Sequence, residues 1–186
     1  GSRHSQPYGI ASDGAGGALV TGGFSATISG AFALTSCSGN ANDALVARVN
    51  SAGGVVWALS VCATGYDYGR AIVSDGAGGA FVVGNFAGTM TFGSTSLVAS
   101  GGQDTFVLRV SSSGSIVWAT VGGGTGHDYG RGVVSDGADG VLVTGFFADT
   151  ASFGAISLTS RGGRDAFVMR VSGSGAVLWA ISAGGA

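Results

Sequence analysis

The run Asp165-Ala166-Phe167-Val168-Met169-Arg170-Val171, the link Ser172-Gly173-Ser174-Gly175 and the run Ala176-Val177-Leu178-Trp179-Ala180 decide the fold of this chain. Both runs are apolar, carry β-branched and aromatic residues and are too short for stable helices, and the link supplies glycines for a tight turn. They read as an antiparallel hairpin, with one strand from Asp165 to Ser172 and the next from Ala176 to Ser182. The same text recurs upstream, as Asp104 to Val110 ahead of Trp118-Ala119 and as Asp43 to Val49 ahead of Trp57-Ala58. Trp57, Trp118 and Trp179 are 61 residues apart, as are Arg48, Arg109 and Arg170, and no Trp lies outside the pattern.

Further along each period, Ser12-Asp13-Gly14, Ser74-Asp75-Gly76 and Ser135-Asp136-Gly137 mark a second turn. In the third copy this turn joins strands predicted over Gly130 to Ser135 and Val141 to Phe146. The segment of 18 residues from Phe147 to Arg164, with apolar Phe153, Ile156 and Leu158, predicts an extra small hairpin. The chain therefore divides into three copies, 3–64, 65–125 and 126–186, preceded by Gly1-Ser2, which reads as a cloning scar.

Composition agrees with an all-β chain. Of 186 residues 38 are Gly and one is Pro, and neither Lys nor Glu occurs, so the usual solvent face of a helix cannot be written. Collagen is excluded by the missing Gly-X-Y period, and disorder by 45% hydrophobic against 10% charged residues. A net charge of −2 with eight scattered Arg leaves no footprint for nucleic acid. The apolar runs are short, as in Ala44 to Val49, so no membrane-spanning helix is expected.

A four-stranded antiparallel unit with two apolar faces cannot bury both alone, so like units must stack, and four strands in about 60 residues fit a propeller blade. The repeat resembles the bacterial β-propeller repeat family known as SBBP. The resemblance rests on residues 128–137, 141–145, 165–171 and 178–180 with Gly184-Gly185, and covers essentially the whole chain. Residues 147–154 look like the long form of the repeat in exported proteins of bacteria such as myxobacteria, which implies an extracellular or cell-surface location. The first copy departs from the pattern, with His4-Ser5-Gln6-Pro7-Tyr8 where the second has Tyr66-Asp67-Tyr68-Gly69-Arg70. Three blades cannot surround an axis, so a homodimer closing a six-bladed ring is the favoured architecture, with a nine-bladed trimer as the alternative.

The repeated residues have structural readings. Trp57, Trp118 and Trp179 are expected to pack between blades, and Arg48, Arg109 and Arg170 to bridge Asp13, Asp75 and Asp136 between turns. Asp43, Asp104 and Asp165 are expected to bond local amides. Cys37 and Cys62, both in the first copy, fall at strand ends that antiparallel pairing brings together and are expected to form a disulfide.

The loops entering the first strand of copies two and three supply the candidate ligand-binding rim: Tyr66, Asp67, Tyr68 and Arg70, and His127, Asp128, Tyr129 and Arg131. Motifs for nucleophilic catalysis, zinc and calcium are missing, so no catalytic residue, metal or cofactor is expected. The function expected is a non-enzymatic scaffold or platform for protein or glycan ligands, whose partners are itself and such a ligand. Two alternatives stay open. One is a carbohydrate-active hydrolase or lyase using Asp67, Asp128 and His127 at the channel mouth; the other is an engineered or excised fragment that self-assembles and has no activity of its own.

Overall fold

Glycine-punctuated runs of alternating side chains can satisfy their backbone only by pairing with neighbouring runs, and the chain does this throughout. The structure, a computed structural model, describes residues 4–37 and 41–185; Gly1-Ser2 and Ala186 lie outside the described residues. The first unit holds β1 (Ser5–Ser12), β2 (Ala18–Phe24), the short β3 (Thr27–Ile28) and β4 (Leu34–Thr35), β5 (Asp43–Val49) and β6 (Val55–Val61). The second holds β7 (Tyr68–Ser74), β8 (Ala80–Phe86), β9 (Thr89–Phe92), β10 (Thr95–Val98), β11 (Asp104–Val110) and β12 (Ile116–Gly124). The third holds β13 (Tyr129–Ser135), β14 (Val141–Phe147), β15 (Thr150–Phe153), β16 (Ile156–Thr159), β17 (Asp165–Val171) and β18 (Val177–Ala183). Among the described residues there is no helix, and the four long strands of each unit pair antiparallel in chain order.

The extra hairpin departs from expectation. β15 and β16 pair with each other, but β15 also joins the last strand of the preceding unit, with Gly122, Gly123 and Gly124 of β12 opposite Phe153, Ser152 and Ala151. The second sheet therefore has six strands, in the order β16-β15-β12-β11-β8-β7. The glycines make this approach possible, because a Cβ on Gly122 would stand 2.3 Å from the Phe153 ring. An equivalent strap ties the second unit to the first, where the Thr64 amide donates to the Thr89 carbonyl at 3.1 Å and that of Gly65 to Ala87 at 3.1 Å.

Among the described residues two large cores form between units, and a smaller one, around Phe24, Leu45 and Ala47, lies within the first unit. One joins Leu19, Val46 and Trp57 of the first unit to Ile72, Val82 and Leu108 of the second. The other joins Phe81, Val83 and Val107 of the second to Val143, Phe167 and Met169 of the third. Each central sheet face is thus covered by the next unit, which is the stacking that two-sided apolar strands demand. Among the described residues the stack stays open, and they form no closed ring.

Candidate functional site

The first strand of every unit carries one residue too many for its partner strand. Register slips between Pro7 and Gly9, between Gly69 and Ala71, and between Gly130 and Gly132, so the bulged residues are Tyr8, Arg70 and Arg131. A bulge turns its side chain away from the regular alternation. Three equivalent positions on adjacent first strands thus present one tyrosine and two arginines at the same end of the stack.

Arg70 is held most tightly. Its guanidinium carbon lies 4.7 Å from the Tyr8 ring centre and 4.4 Å from that of Tyr68, and its Nε donates to Asn85 Oδ1 at 2.9 Å. Burial, and then the like charge of Arg131, pull its pKa below the ordinary arginine range. Arg131 and Arg164 share a second aromatic pair, at 5.3 and 5.8 Å from Tyr129 and at 5.2 and 5.0 Å from Phe146. His127 stacks on Tyr129 with ring centres 6.0 Å apart. Among the described residues none of Arg70, Arg131 and Arg164 has a carboxylate within ion-pair distance.

Asp67 and Asp128, read from the sequence as members of the rim, are wholly buried. Asp67 accepts from the Ala63 amide and, at 3.3 Å, from that of Ala87, while Asp128 accepts from Gly124 at 2.8 Å and Ala148 at 3.1 Å. Both carboxylates therefore clamp the strap of their own unit to the end of the preceding one. Desolvation, with a smaller push from the nearby Asp43, raises Asp67 to about 7 against those amide bonds. Asp128 is raised for the same first reason. Asp104 reaches about 6 through burial, which the Ser100 amide counters and Asp128 reinforces.

Beside the arginines runs a cleft of about 410 Å³ lined by Tyr66, Tyr68, Ala87, Gly102, Gln103 and His127. Tyr66 is 55% exposed, and its carbonyl accepts from Gln103 Nε2 at 2.9 Å. Sequence reasoning selected Tyr66, Tyr68, Tyr129, His127, Arg70 and Arg131 but missed Tyr8, Gln103, Asn85 and Arg164. Gln103 and Arg164 each immediately precede the Asp that opens a third strand, a signal that alignment of the copies contained.

The opposite ends of the strands hold the repeated ion pairs. Arg48 meets Asp13 at 3.0 Å, Arg109 meets Asp75 at 3.4 Å and Arg170 meets Asp136 at 2.8 Å. Arg48 and Arg109 also reach the following unit, donating to the carbonyls of Gly78 at 3.0 Å and Gly173 at 3.2 Å. Trp118 donates to the Gly173 carbonyl at 2.7 Å and packs over Gly175, as Trp57 packs over Gly114. Cys37 and Cys62 form a disulfide that pins the first unit's strap to the end of β6. Their sulfurs and a carboxylate oxygen of Asp43 lie within 4.8 Å of one another, and with both sulfurs in the disulfide the group lacks thiolate ligands for a metal.

No protein-family model matches this chain, and no curated protein matches it. Among solved structures it is similar to the crystal structure of a protein of unknown function from Bacteroides caccae, at 14% identity and a TM-score of 0.45. The similarity covers 95% of this chain and 61% of the other, so the chain spans less than two thirds of the length of that protein.

Proposed function

We propose that the chain is a non-enzymatic β-propeller repeat module of an exported bacterial protein, a rigid scaffold that carries a binding rim, and that two copies close into a six-bladed ring. One observation carries this reading: the two ends of the stack are the two halves of the junction already formed twice inside it. Ile72 and Val133 are 6% and 8% exposed in the internal junctions, while their counterpart Ile10 on the outer face of the first unit is 75% exposed. On the outer face of the third unit Trp179 is 38% exposed, against 8% for Trp57. The glycine that would receive Trp179 in a second copy is Gly53, the counterpart of Gly114 and Gly175, and it has a φ of +81° with open space around it. Unfilled apolar ends that match each other favour head-to-tail closure about a twofold axis.

The hydrolase alternative draws no comparable support, since the carboxylates it needs are engaged with backbone amides. Size exclusion with light scattering at several concentrations tests the ring. A mass near twice 17.9 kDa is expected, and a folded monomer at all concentrations rejects closure by a second copy.

A further inference from the structure

The rim contains charge that no carboxylate among the described residues neutralises. Arg70 and Arg131 occupy equivalent bulges on β7 and β13, first strands that pack against each other, and the like charge of Arg131 helps to pull Arg70 down. The two carboxylates nearest in sequence, Asp67 and Asp128, are buried and committed to amides. Neither guanidinium has a carboxylate partner among the described residues, and an anion between the two would offset the like charge of Arg131 that the half-buried Arg70 feels. A second observation lies beneath Arg70. Asn85 is fully buried and spends its Oδ1 on Arg70, yet its Nδ2 has no hydrogen-bond partner among the described residues. The buried Asn85 amide thus anchors the Arg70 guanidinium from below and leaves its other N–H groups for an oxyanion.

The cleft along Tyr66, Tyr68, Gln103 and His127 narrows the class of ligand. It adjoins the arginines through Tyr68, which forms part of both. It offers aromatic faces and polar tips but no aliphatic socket that would receive the side chain of a peptide. The exposed ring of Tyr66 suits the C–H face of a pyranose, with the half-buried Tyr68 beside it, and Gln and His suit its hydroxyls. We propose that this rim binds an acidic glycan, with a uronate carboxylate held by Arg70 and Arg131 and the adjoining sugar ring against Tyr66 and Tyr68. The proposal rests on the platform reading above, but every residue it uses lies in one chain.

Calorimetric titration with trigalacturonate and with its fully methyl-esterified, uncharged counterpart tests it. The acid is expected to bind at least about tenfold tighter than the ester, and Arg70→Gln and Arg131→Gln each to weaken the acid about tenfold, the scale of one lost charge-assisted contact. A folded Arg170→Gln, at the opposite end of the strands, should leave binding unchanged. Arg131 is exposed, so its variant keeps the test valid should the half-buried Arg70 prove necessary for folding. Equal binding of acid and ester, no binding at millimolar sugar, or undiminished binding by a folded Arg131→Gln would overturn the proposal. So would tighter binding of hexa-aspartate than of trigalacturonate. A monomer that binds the acid upholds this site and rejects the ring; a dimer that does not bind it does the reverse.

Discussion

Asp67 shows how a single side chain can serve folding and make it pH-dependent. Its carboxylate accepts amide bonds from the end of one unit and the start of the next unit's strap, and burial raises its pKa to about 7. Asp104, raised to about 6, stands at the junction of the second and third units. A carboxyl whose folded pKa exceeds its unfolded value of about 3.8 stabilises the fold most below that value and loses the contribution as pH rises through the folded pKa. Asp13 and Asp136 act in the other direction, held below the ordinary range first by the amides of Ala15 and Ala138 and also by their arginines. Their contribution is lost only as pH falls below about 3.8. Thermal melting should therefore be several degrees higher at pH 5 than at pH 8, and Asp67→Asn should flatten that slope. A level profile for the unsubstituted chain across this window would count against the assignment. Sequence alignment of the copies picked out Asp67 and Asp128 as special but could not show that they face inward. Burial depends on the neighbouring unit's strap, and no local pattern records it.

At the level of elements, the strap belongs covalently to one unit and ties it by hydrogen bonds to the last strand of the unit before. β15 pairs with β12, and Phe153 inserts between the rings of Phe147 and Phe167, with centres at 6.0 and 4.6 Å. Phe153→Ala should cost about 3–5 kcal/mol in chemical denaturation, the scale of a truncated core phenylalanine, and loosen the third unit from the second. A change below about 1 kcal/mol would mean that the strap merely lies on the surface. The hairpin itself was legible in residues 147–164 from its apolar pattern and turn. Its attachment to the preceding sheet was not, because strand pairing across units depends on backbone groups that every residue shares. The glycines at 122–124 were the available clue, since three successive residues without side chains permit a ring to lie on the strand. The bulges at Tyr8, Arg70 and Arg131 escaped notice for a similar reason: a bulge is a count between two strands and cannot be read from one.

For the whole molecule the governing fact is that three units bury two junctions and leave the halves of a third exposed. If a second copy fills them, the melting temperature must rise with protein concentration, as for any equilibrium that binds the folded state alone. Ile10→Asp should abolish that dependence and yield a monomer of 17.9 kDa with its two internal junctions intact. Concentration-independent melting of the unsubstituted chain, together with a monomeric mass, would refute the assembly. The all-β class, the 61-residue period, the order of strands within a unit and the pairing of each Arg with its Asp are already legible in the residues. These follow from turn chemistry, side-chain alternation and repetition, all of which are written locally. Only the tertiary structure decided which carboxylates are buried, which arginines stay without counter-ions, where the straps attach and which faces remain open. Those properties arise between units, where the exposure of a residue depends on whatever sheet lies opposite it.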